Sequence, residues 1–463
     1  MTLRQSLSVV ACVAAAVAAG LGHGPALAQV PDYAPKPYVQ LRHADWTRDA
    51  VIYQLNTRQF TREGTFRAAQ AHLPRLAAMG VDIIWLMPIQ PIGAVNRKGD
   101  LGSPYSVRDY RAVNSELGSE DDLRAFVKEA HRLGIKVILD WVANHTSWDN
   151  PLTSQHPEWY ARSPEGKMIP PIGTDWDDVV TLDYSQPGLR QYMTESLAYW
   201  VREFDIDGYR ADVAGYVPLD FWETARAQLD AIKPVFMLAE WEQRDLHARA
   251  FDATYAWGWK NAMQRIAREG GAGPIRSYYA EQRNTWPHAG YRMVYTDNHD
   301  QNSWDGVAEE IYGPAYEAAI VLSFVGGGIP LIYNGQEADL DHKLAFFTKD
   351  EIVWREGKRA DLFRKLIALK TEEPALWNGA AGAPMVEVPN SASAQVYSFV
   401  RGAKGERVFA VFNLSPEPRS VTFTLDRHVG QYRDALTGEA ASLDAGSLVA
   451  LGPWGYRIYR EDD

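Results

Sequence analysis

Cysteine is almost absent from this sequence of 463 residues. The single cysteine, Cys12, lies in an N-terminal segment that we expect to be removed. The remaining chain then forms no disulfide and no cysteine-ligated metal site, and no cluster of His and Cys favours zinc. The sequence also has no run of basic residues, and its formal net charge is −12. These features argue against nucleic acid as a partner.

The only strongly apolar N-terminal stretch has the features of a targeting signal. Arg4 precedes an apolar run over residues 7–21, and the small residues ALA (26–28) follow it. Such a run is short for a membrane span. We therefore predict a signal peptide over residues 1–28, cleavage after Ala28, and export to the periplasm or the medium without membrane insertion.

Strand and helix patterns alternate eight times between residues 50 and 372. Continuous apolar runs such as VDIIWLMP (81–88) are typical of parallel strands that are buried on both faces. Helical spacing follows them, as in residues 65–80 and in a closing segment near 350–372, and the weakest strand pattern lies at 251–255. Eight such units predict an α/β fold, a (β/α)8 TIM barrel.

The same pattern divides the chain into domains. We assign residues 29–145 and 184–378 to the barrel, and residues 146–183 to a short, loop-rich insert after the third strand. From residue 379 to 463 the sequence has short runs of β-branched and aromatic residues between turns, which predict a C-terminal all-β sandwich domain.

Charged, amide and histidine side chains occur where four of the predicted strands end. They are Asp140, Asn144 and His145 after the third strand, Arg210 and Asp212 after the fourth, Glu240 after the fifth, and His299 and Asp300 after the seventh. TIM barrels carry their chemistry at the carboxyl ends of the strands. A single strand-end carboxylate is often a helix cap. Several at one rim indicate an active site, because crowded like charges cost stability.

These segments resemble the signature motifs of the α-amylase family of retaining α-glycoside hydrolases. DWVANH (140–145), GYRAD (208–212), Glu240 in MLAEWE and TDNHD (296–300) are similar to its four motifs, in the same order. The resemblance covers about residues 45–460. It implies an enzyme that cleaves α-glucosidic bonds, mainly α-1,4, in starch-derived α-glucans or malto-oligosaccharides.

Position by position, the resemblance implies a role for each motif residue. Asp212 would be the nucleophile, Glu240 the general acid/base, and Asp300 a stabiliser of the transition state. Retaining hydrolysis needs two carboxyl groups about 5–5.5 Å apart, one ionised and one protonated. The residues implied to bind substrate are Tyr105, His145, Arg210 and His299.

The residues themselves support this assignment. Arg210 and Asp212 are two positions apart in a predicted strand, so their side chains share a face. The charge of Arg210 would keep Asp212 ionised, and Asp140 would brace Arg210. Glu240 is flanked by apolar residues, which would raise its pKa so that it stays protonated near neutrality.

The chemistry needs no cofactor, but Ca²⁺ remains a candidate structural ion. Many α-amylases have a Lys-His pair after the nucleophile that serves substrate and calcium, whereas this chain has VAGY (213–216). Asn144, with Asp175 or Asp177, could still supply the oxygen ligands that calcium prefers. The missing pair weakens the expectation of a calcium site.

Two other interpretations stay open. A transglycosylase or isomerase acting on maltose or sucrose would use the same covalent intermediate, because transfer differs from hydrolysis only in the acceptor. A non-catalytic glycan-binding protein would lack Asp212, Glu240 or Asp300, and none is missing. The sequence does not distinguish exo from endo cleavage, α-1,4 from α-1,6 preference, or one oligomeric state from another.

Overall fold

The structure is a computed structural model that describes residues 37–462. The predicted signal peptide lies outside these residues. Within residues 37–462, no helix is both long enough and apolar enough to cross a membrane. The helices are α1 (Thr57–Phe60), α2 (Phe66–Gln70), α3 (Leu73–Met79), α4 (Glu120–Arg132), α5 (Leu152–Gln155), α6 (Pro187–Phe204), α7 (Leu219–Asp230), α8 (Trp257–Glu269), α9 (Gly273–Thr285), α10 (Ala308–Tyr312), α11 (Tyr316–Val325) and α12 (Lys358–Glu372).

A closed parallel barrel forms the larger part of the fold. The strands that precede the C-terminal sheet are β1 (Ile52–Leu55), β2 (Ile83–Leu86), β3 (Lys136–Trp141), β4 (His145–Ser147), β5 (Val179–Thr181), β6 (Gly208–Ala211), β7 (Phe236–Ala239), β8 (Ala253–Tyr255), β9 (Tyr291–Tyr295) and β10 (Ile329–Tyr333). All except β4 and β5 form the barrel, in the order β1-β2-β3-β6-β7-β8-β9-β10, and β10 pairs with β1. The predicted TIM barrel is therefore confirmed. Since β1 is the first barrel strand and β7 the fifth of eight, these two strands lie on opposite sides of the barrel.

The barrel interior is packed with apolar side chains from alternate strand positions. Ile52, Trp85, Ile138 and Leu238 are all fully buried in this cluster. The alternation leaves the strand ends free to carry polar groups at the carboxyl mouth.

Two predicted helices differ from the structure for local reasons. The helix predicted over residues 65–80 is divided into α2 and α3, because Pro74 lacks an N–H and is accepted only in the first turn of α3. The helix predicted near 350–372 begins only at Lys358. The residues before it pack as a loop, in which Trp354 Nε1 donates to the carbonyl of Phe60 at 2.7 Å.

The insert after β3 has little regular structure. Strands β4 and β5 pair antiparallel, with His145 opposite Thr181, and the short helix α5 lies between them in sequence. This pairing fixes the position of His145 at the barrel mouth.

The C-terminal strands form an antiparallel sandwich, as predicted. They are β11 (Val386–Glu387), β12 (Val396–Arg401), β13 (Val408–Asn413), β14 (Arg419–Val421), β15 (Gly430–Asp434), β16 (Ala440–Leu443), β17 (Val449–Leu451) and β18 (Tyr456–Glu461). Six of them form one sheet, and β14 and β17 form a small second sheet. Phe409 of the large sheet and Val421 of the small sheet share one core.

The carboxyl group of Asp82 lies outside the barrel mouth and has a raised pKa. Asp82 precedes β2, and its Oδ2 accepts the N–H of Val51 at 2.8 Å. Burial raises the pKa of Asp82 to about 7.

Candidate active site

Arg210 is fully buried and contacts three carboxyl groups at the barrel mouth. Its Nη1 donates to Asp140 Oδ1 at 2.8 Å and to Asp212 Oδ1 at 2.9 Å. Its Nη2 lies 2.9 Å from Glu240 Oε2. One guanidinium therefore joins the ends of β3, β6 and β7. The contact with Asp140 was expected from the sequence, whereas the contact with Glu240 was not.

Three carboxyl groups share this one cation, so their charges are coupled. Burial raises the pKa of Asp212 well above its usual range, and the guanidinium of Arg210 opposes that rise. Burial also raises the pKa of Glu240, and it raises the pKa of Asp140 to about 6. The expectation that Arg210 simply keeps Asp212 ionised is therefore incomplete, because its charge is divided. Burial and mutual repulsion both disfavour the state in which all three carboxyl groups are ionised.

Two backbone features hold Asp212 beside Glu240. Val213 has a left-handed conformation, with φ 35° and ψ 49°, which is unfavourable for a β-branched residue. Its N–H donates to Glu240 Oε2 at 2.8 Å. At Gly208, an added Cβ would lie 1.9 Å from the carbonyl oxygen of Phe236, so only glycine allows this approach of β6 to β7.

His299 belongs to a chain of hydrogen bonds that fixes its tautomer. Gln54 Nε2 and His299 Nδ1 are 2.6 Å apart, and His299 Nε2 lies 2.7 Å from the hydroxyl of Tyr105. That hydroxyl donates to Asp140 Oδ2 at 3.0 Å. Gln54 Nε2 can only donate, so it donates to Nδ1 of His299. The proton of the imidazole ring is then on Nε2 of His299, which donates to the hydroxyl of Tyr105. Burial lowers the pKa of His299 to about 3, so the ring is neutral.

His145 is also buried and neutral. Its Nδ1 lies 3.2 Å from Asn144 Nδ2, which is a donor. Its ring centroid lies 5.5 Å from that of Trp176, a residue of the insert. Burial lowers the pKa of His145 to about 4. The two predicted histidines therefore lie at the same mouth, one held by β1 and one by the insert.

A cavity of about 620 Å³ opens over these groups. All predicted catalytic and substrate-binding residues line it except Arg210, which lies beneath Asp212. Asp300 is the most accessible catalytic candidate, since its side chain is 43% exposed and that of Asp212 is 9% exposed. His299 and Asp300 both follow β9, which ends at Tyr295.

Several lining residues were not predicted. Lys98, Phe346 and Phe347 come from loops that match no motif. The polar Gln54 within the apolar strand AVIYQLN was a detectable signal, because a polar side chain in a buried strand requires a partner.

The two candidate calcium ligands have other partners. Asn144 donates to His145, and the backbone carbonyl of Asp175 accepts from Lys98 Nζ at 2.8 Å. The same ammonium lies 3.0 Å from Asp177 Oδ1 and 3.4 Å from Asp178 Oδ1. In residues 37–462, no group of three or more His, Cys, Asp or Glu could hold a metal ion. A lysine cation therefore lies against this acidic segment, and the assignment of Asn144 and Asp175 as calcium ligands stays a prediction.

Comparison with known proteins finds matches to both domains. Residues 42–380 match the family model for the alpha amylase catalytic domain, and residues 386–458 match that for the maltogenic amylase C-terminal domain. A solved alpha-amylase from Lactobacillus plantarum is 33% identical, with a TM-score of 0.79 over 90% of this chain and 100% of that chain. A noncanonic maltogenic alpha-amylase, AmyB from Thermotoga neapolitana, is 29% identical, with a TM-score of 0.81 over 89% of this chain and 99% of that chain.

Curated relatives include both hydrolases and transferases. Alpha-amylase MalA of Haloarcula japonica is 26% identical over 87% of this chain, which spans 62% of that protein. An alpha-1,4-glucan:maltose-1-phosphate maltosyltransferase of Pseudomonas aeruginosa is 28% identical over 60% of this chain and 44% of that protein. With four signature motifs brought to one barrel mouth and a family model that matches most of the sequence, this chain belongs to the α-amylase family and is an α-amylase-type enzyme.

Proposed function

We propose that this chain is an exported retaining hydrolase of α-1,4-glucosidic bonds in malto-oligosaccharides and starch-derived α-glucans. The supporting observation is that Asp212 and Glu240 end adjacent strands and both contact Arg210 in one buried cavity. Asp212 attacks the anomeric carbon while Glu240 protonates the leaving oxygen. Glu240 then removes a proton from the water that hydrolyses the glycosyl-enzyme.

The other lining residues bind the sugar at the cleaved bond. Asp300 has an accessible carboxylate, which accepts hydrogen bonds from sugar hydroxyls. His145 is neutral, with Nδ1 occupied by Asn144, so its Nε2–H remains a donor. Tyr105 holds His299 and Asp140 in place through its hydroxyl and offers its ring to the sugar.

The test separates the two catalytic carboxyl groups. Asp212→Asn removes the nucleophile, so no substrate should be turned over and no covalent intermediate should form. Glu240→Gln removes the proton donor. This variant should hydrolyse natural glucans very slowly. Its reaction with α-glucosyl fluoride should still form the glycosyl-enzyme, because fluoride leaves with little acid assistance.

The intermediate should then accumulate. Glu240→Gln fed the fluoride should carry one added hexose in intact-protein mass spectrometry, mapped to the peptide that contains Asp212. Azide needs no base and should discharge it. Proton NMR should show that wild-type enzyme releases the α-anomer first. A hexose on another peptide, near-normal fluoride turnover by Asp212→Asn, or initial β-product would refute the proposal.

A second candidate activity is transfer of a maltosyl group. Several similar curated proteins are maltosyltransferases, at 28–32% identity. The same intermediate on Asp212 would react with a sugar or a phosphate instead of water. Product analysis on maltotriose with and without added maltose or phosphate tests this: a dominant transfer product would favour the transferase.

A further inference from the structure

A loop segment after β2, residues 96–102, joins the cavity to the insert. We name it the bridging segment. Lys98 Nζ contacts the carbonyl of Asp175 and the carboxylates of Asp177 and Asp178. Asn96 Nδ2 donates to the carbonyl of Asp177 at 3.2 Å. One side of the bridging segment is therefore attached to the insert by the side chains of Asn96 and Lys98.

The other side of the bridging segment contacts the loop that follows β10. The N–H of Leu101 donates to the carbonyl of Phe347 at 3.0 Å. Arg58 Nη1 donates to the carbonyl of Gly102 at 3.0 Å. At Gly99, an added Cβ would lie 2.6 Å from Phe347 Cβ, so the two loops are in close contact. The bridging segment thus connects two walls of the cavity that would otherwise be separate.

The position of this wall follows from the strand order. The three joined loops follow β2, β3 and β10. Strands β2 and β10 are the two neighbours of β1, and β3 is the next strand beyond β2. Glu240 ends β7, on the opposite side of the barrel from β1. In the proposed mechanism the leaving group departs on the side of its proton donor. The wall therefore lies on the opposite, glycone side of the cleaved bond.

Residues of the wall line the cavity. Lys98 and Phe347 line the cavity itself, so the wall bounds the substrate space and is not a remote surface feature. Tyr216, which follows β6, is 51% exposed. Trp304, on the loop after β9, is 53% exposed, and its ring packs against Phe346 and Phe347, so it lies beside the wall.

From these contacts we infer that the cavity is closed on the glycone side, so that the enzyme admits only the non-reducing end of a glucan and acts as an exo-hydrolase on chain ends and short malto-oligosaccharides. This inference rests on the proposed function. A glucan bound in mid-chain would have to continue through the bridging segment. The ion pairs and hydrogen bonds to the insert on one side, and the hydrogen bonds on the other side, oppose that path. The bridging segment, and Lys98 in particular, thereby determines specificity without contacting the reacting atoms.

The test uses two substrates that differ only at one end. One is 4-nitrophenyl α-maltoheptaoside, and the other is the same compound with its non-reducing end blocked by a 4,6-ethylidene group. Products are separated by chromatography. We expect the wild-type kcat/KM for the free substrate to exceed that for the blocked one by at least about a hundredfold. Cleavage of the blocked substrate within about tenfold of the free one would overturn the inference, even though the proposed hydrolysis itself would stand.

Variants of the ion pairs test the wall directly. Lys98→Met should raise the blocked-to-free ratio of kcat/KM by about tenfold or more, and Lys98→Arg should keep the wild-type ratio. Asp177→Asn, at a site whose side chain is 78% exposed, provides a second variant if Lys98→Met does not fold. An unchanged ratio in folded Lys98→Met and Asp177→Asn would refute the role of this contact. If the wild type cleaves neither heptaoside nor maltotriose, the proposed function fails, and this inference fails with it.

Discussion

The Nη2 atom of Arg210 lies 2.9 Å from Oε2 of Glu240, so the side chain that donates a hydrogen bond to the candidate nucleophile also forms an ion pair with the candidate proton donor. Both contacts come from a guanidinium with no exposed surface. Its geometry therefore sets the relative position of the two groups whose separation decides a double displacement.

Replacement of this guanidinium by an ammonium should damage both stability and catalysis. A lysine is a point charge that does not reach three carboxyl groups at once. We expect Arg210→Lys to lower the free energy of unfolding by about 3–5 kcal/mol, and to lower kcat by roughly 10²–10³-fold, the effect of losing one preorganised electrostatic partner. Denaturant unfolding and steady-state kinetics on maltotriose measure the two effects.

A buried ion pair away from the cavity provides the control. Arg407 and Glu461 pair in the C-terminal domain, with side chains 8% and 6% exposed. Arg407→Lys should cost stability but leave kcat near the wild-type value. A kcat for Arg210→Lys as high as that of Arg407→Lys would contradict this role of Arg210.

Asp82→Asn should stabilise the protein at alkaline pH. The pKa of Asp82 is raised in the folded state to about 7, from an ordinary 3.8, so its favourable contribution is complete below pH 4 and is lost as the pH rises through 7. Asparagine keeps an acceptor for Val51 N–H but does not ionise. The variant should gain about 1–3 kcal/mol of unfolding free energy over wild type between pH 4 and pH 9.

Asp122 is the matched control with the opposite sign. It is the third residue of α4 in the capping box with Ser119, and hydrogen bonds from Ser119 lower its pKa to about 2. Its contribution is present above pH 4 and is lost as the pH falls through 2, so Asp122→Asn should lose stability at neutral pH. A pH-independent difference between Asp82→Asn and wild type would show that Asp82 does not titrate as described.

Chelation should leave the melting temperature of the wild-type enzyme unchanged, because Lys98 neutralises the acidic end of the insert. Lys98→Met should lower it by only about 1–3 °C, since the ammonium is 29% exposed and such pairs are weak. Differential scanning fluorimetry with EDTA and with added calcium measures both. A large drop with EDTA that calcium reverses would restore calcium as a structural ion.

The exported enzyme should begin at Gln29. Edman sequencing of the protein from the periplasm or medium of an expressing bacterium tests the predicted cleavage after Ala28. Ala28→Leu should impair processing, because signal peptidase requires a small residue there, whereas Gln29→Ala should not. Exported protein that retains residues 1–28 would contradict the prediction.

The barrel and the catalytic candidates were predictable because both depend on short, local sequence patterns. Continuous apolar runs identified the strands, and the charged residues at their ends were placed at one mouth by the parallel topology alone. Arg210 stood out since a buried strand rarely carries an arginine. The division of the helix predicted over 65–80 was also a local matter, decided by Pro74.

The wall of the cavity was not predictable in this way. Lys98, Asp177 and Phe347 lie far apart in sequence, in loops without periodicity, and each resembles an ordinary surface residue. Their meeting depends on how three loops fold over the barrel. The sharing of Arg210 between three carboxyl groups likewise depends on side-chain geometry at adjacent strand ends.

The hydrogen bond from Leu101 to Phe347 has a consequence for how a polymer would be degraded. A site with a single opening must release its product through the same opening that the next chain enters. The enzyme would therefore release the polymer after every cleavage and would not act processively. The rate of starch hydrolysis would depend on the number of free chain ends. Prior debranching or random cleavage by another enzyme would therefore increase that rate more than the addition of more starch would.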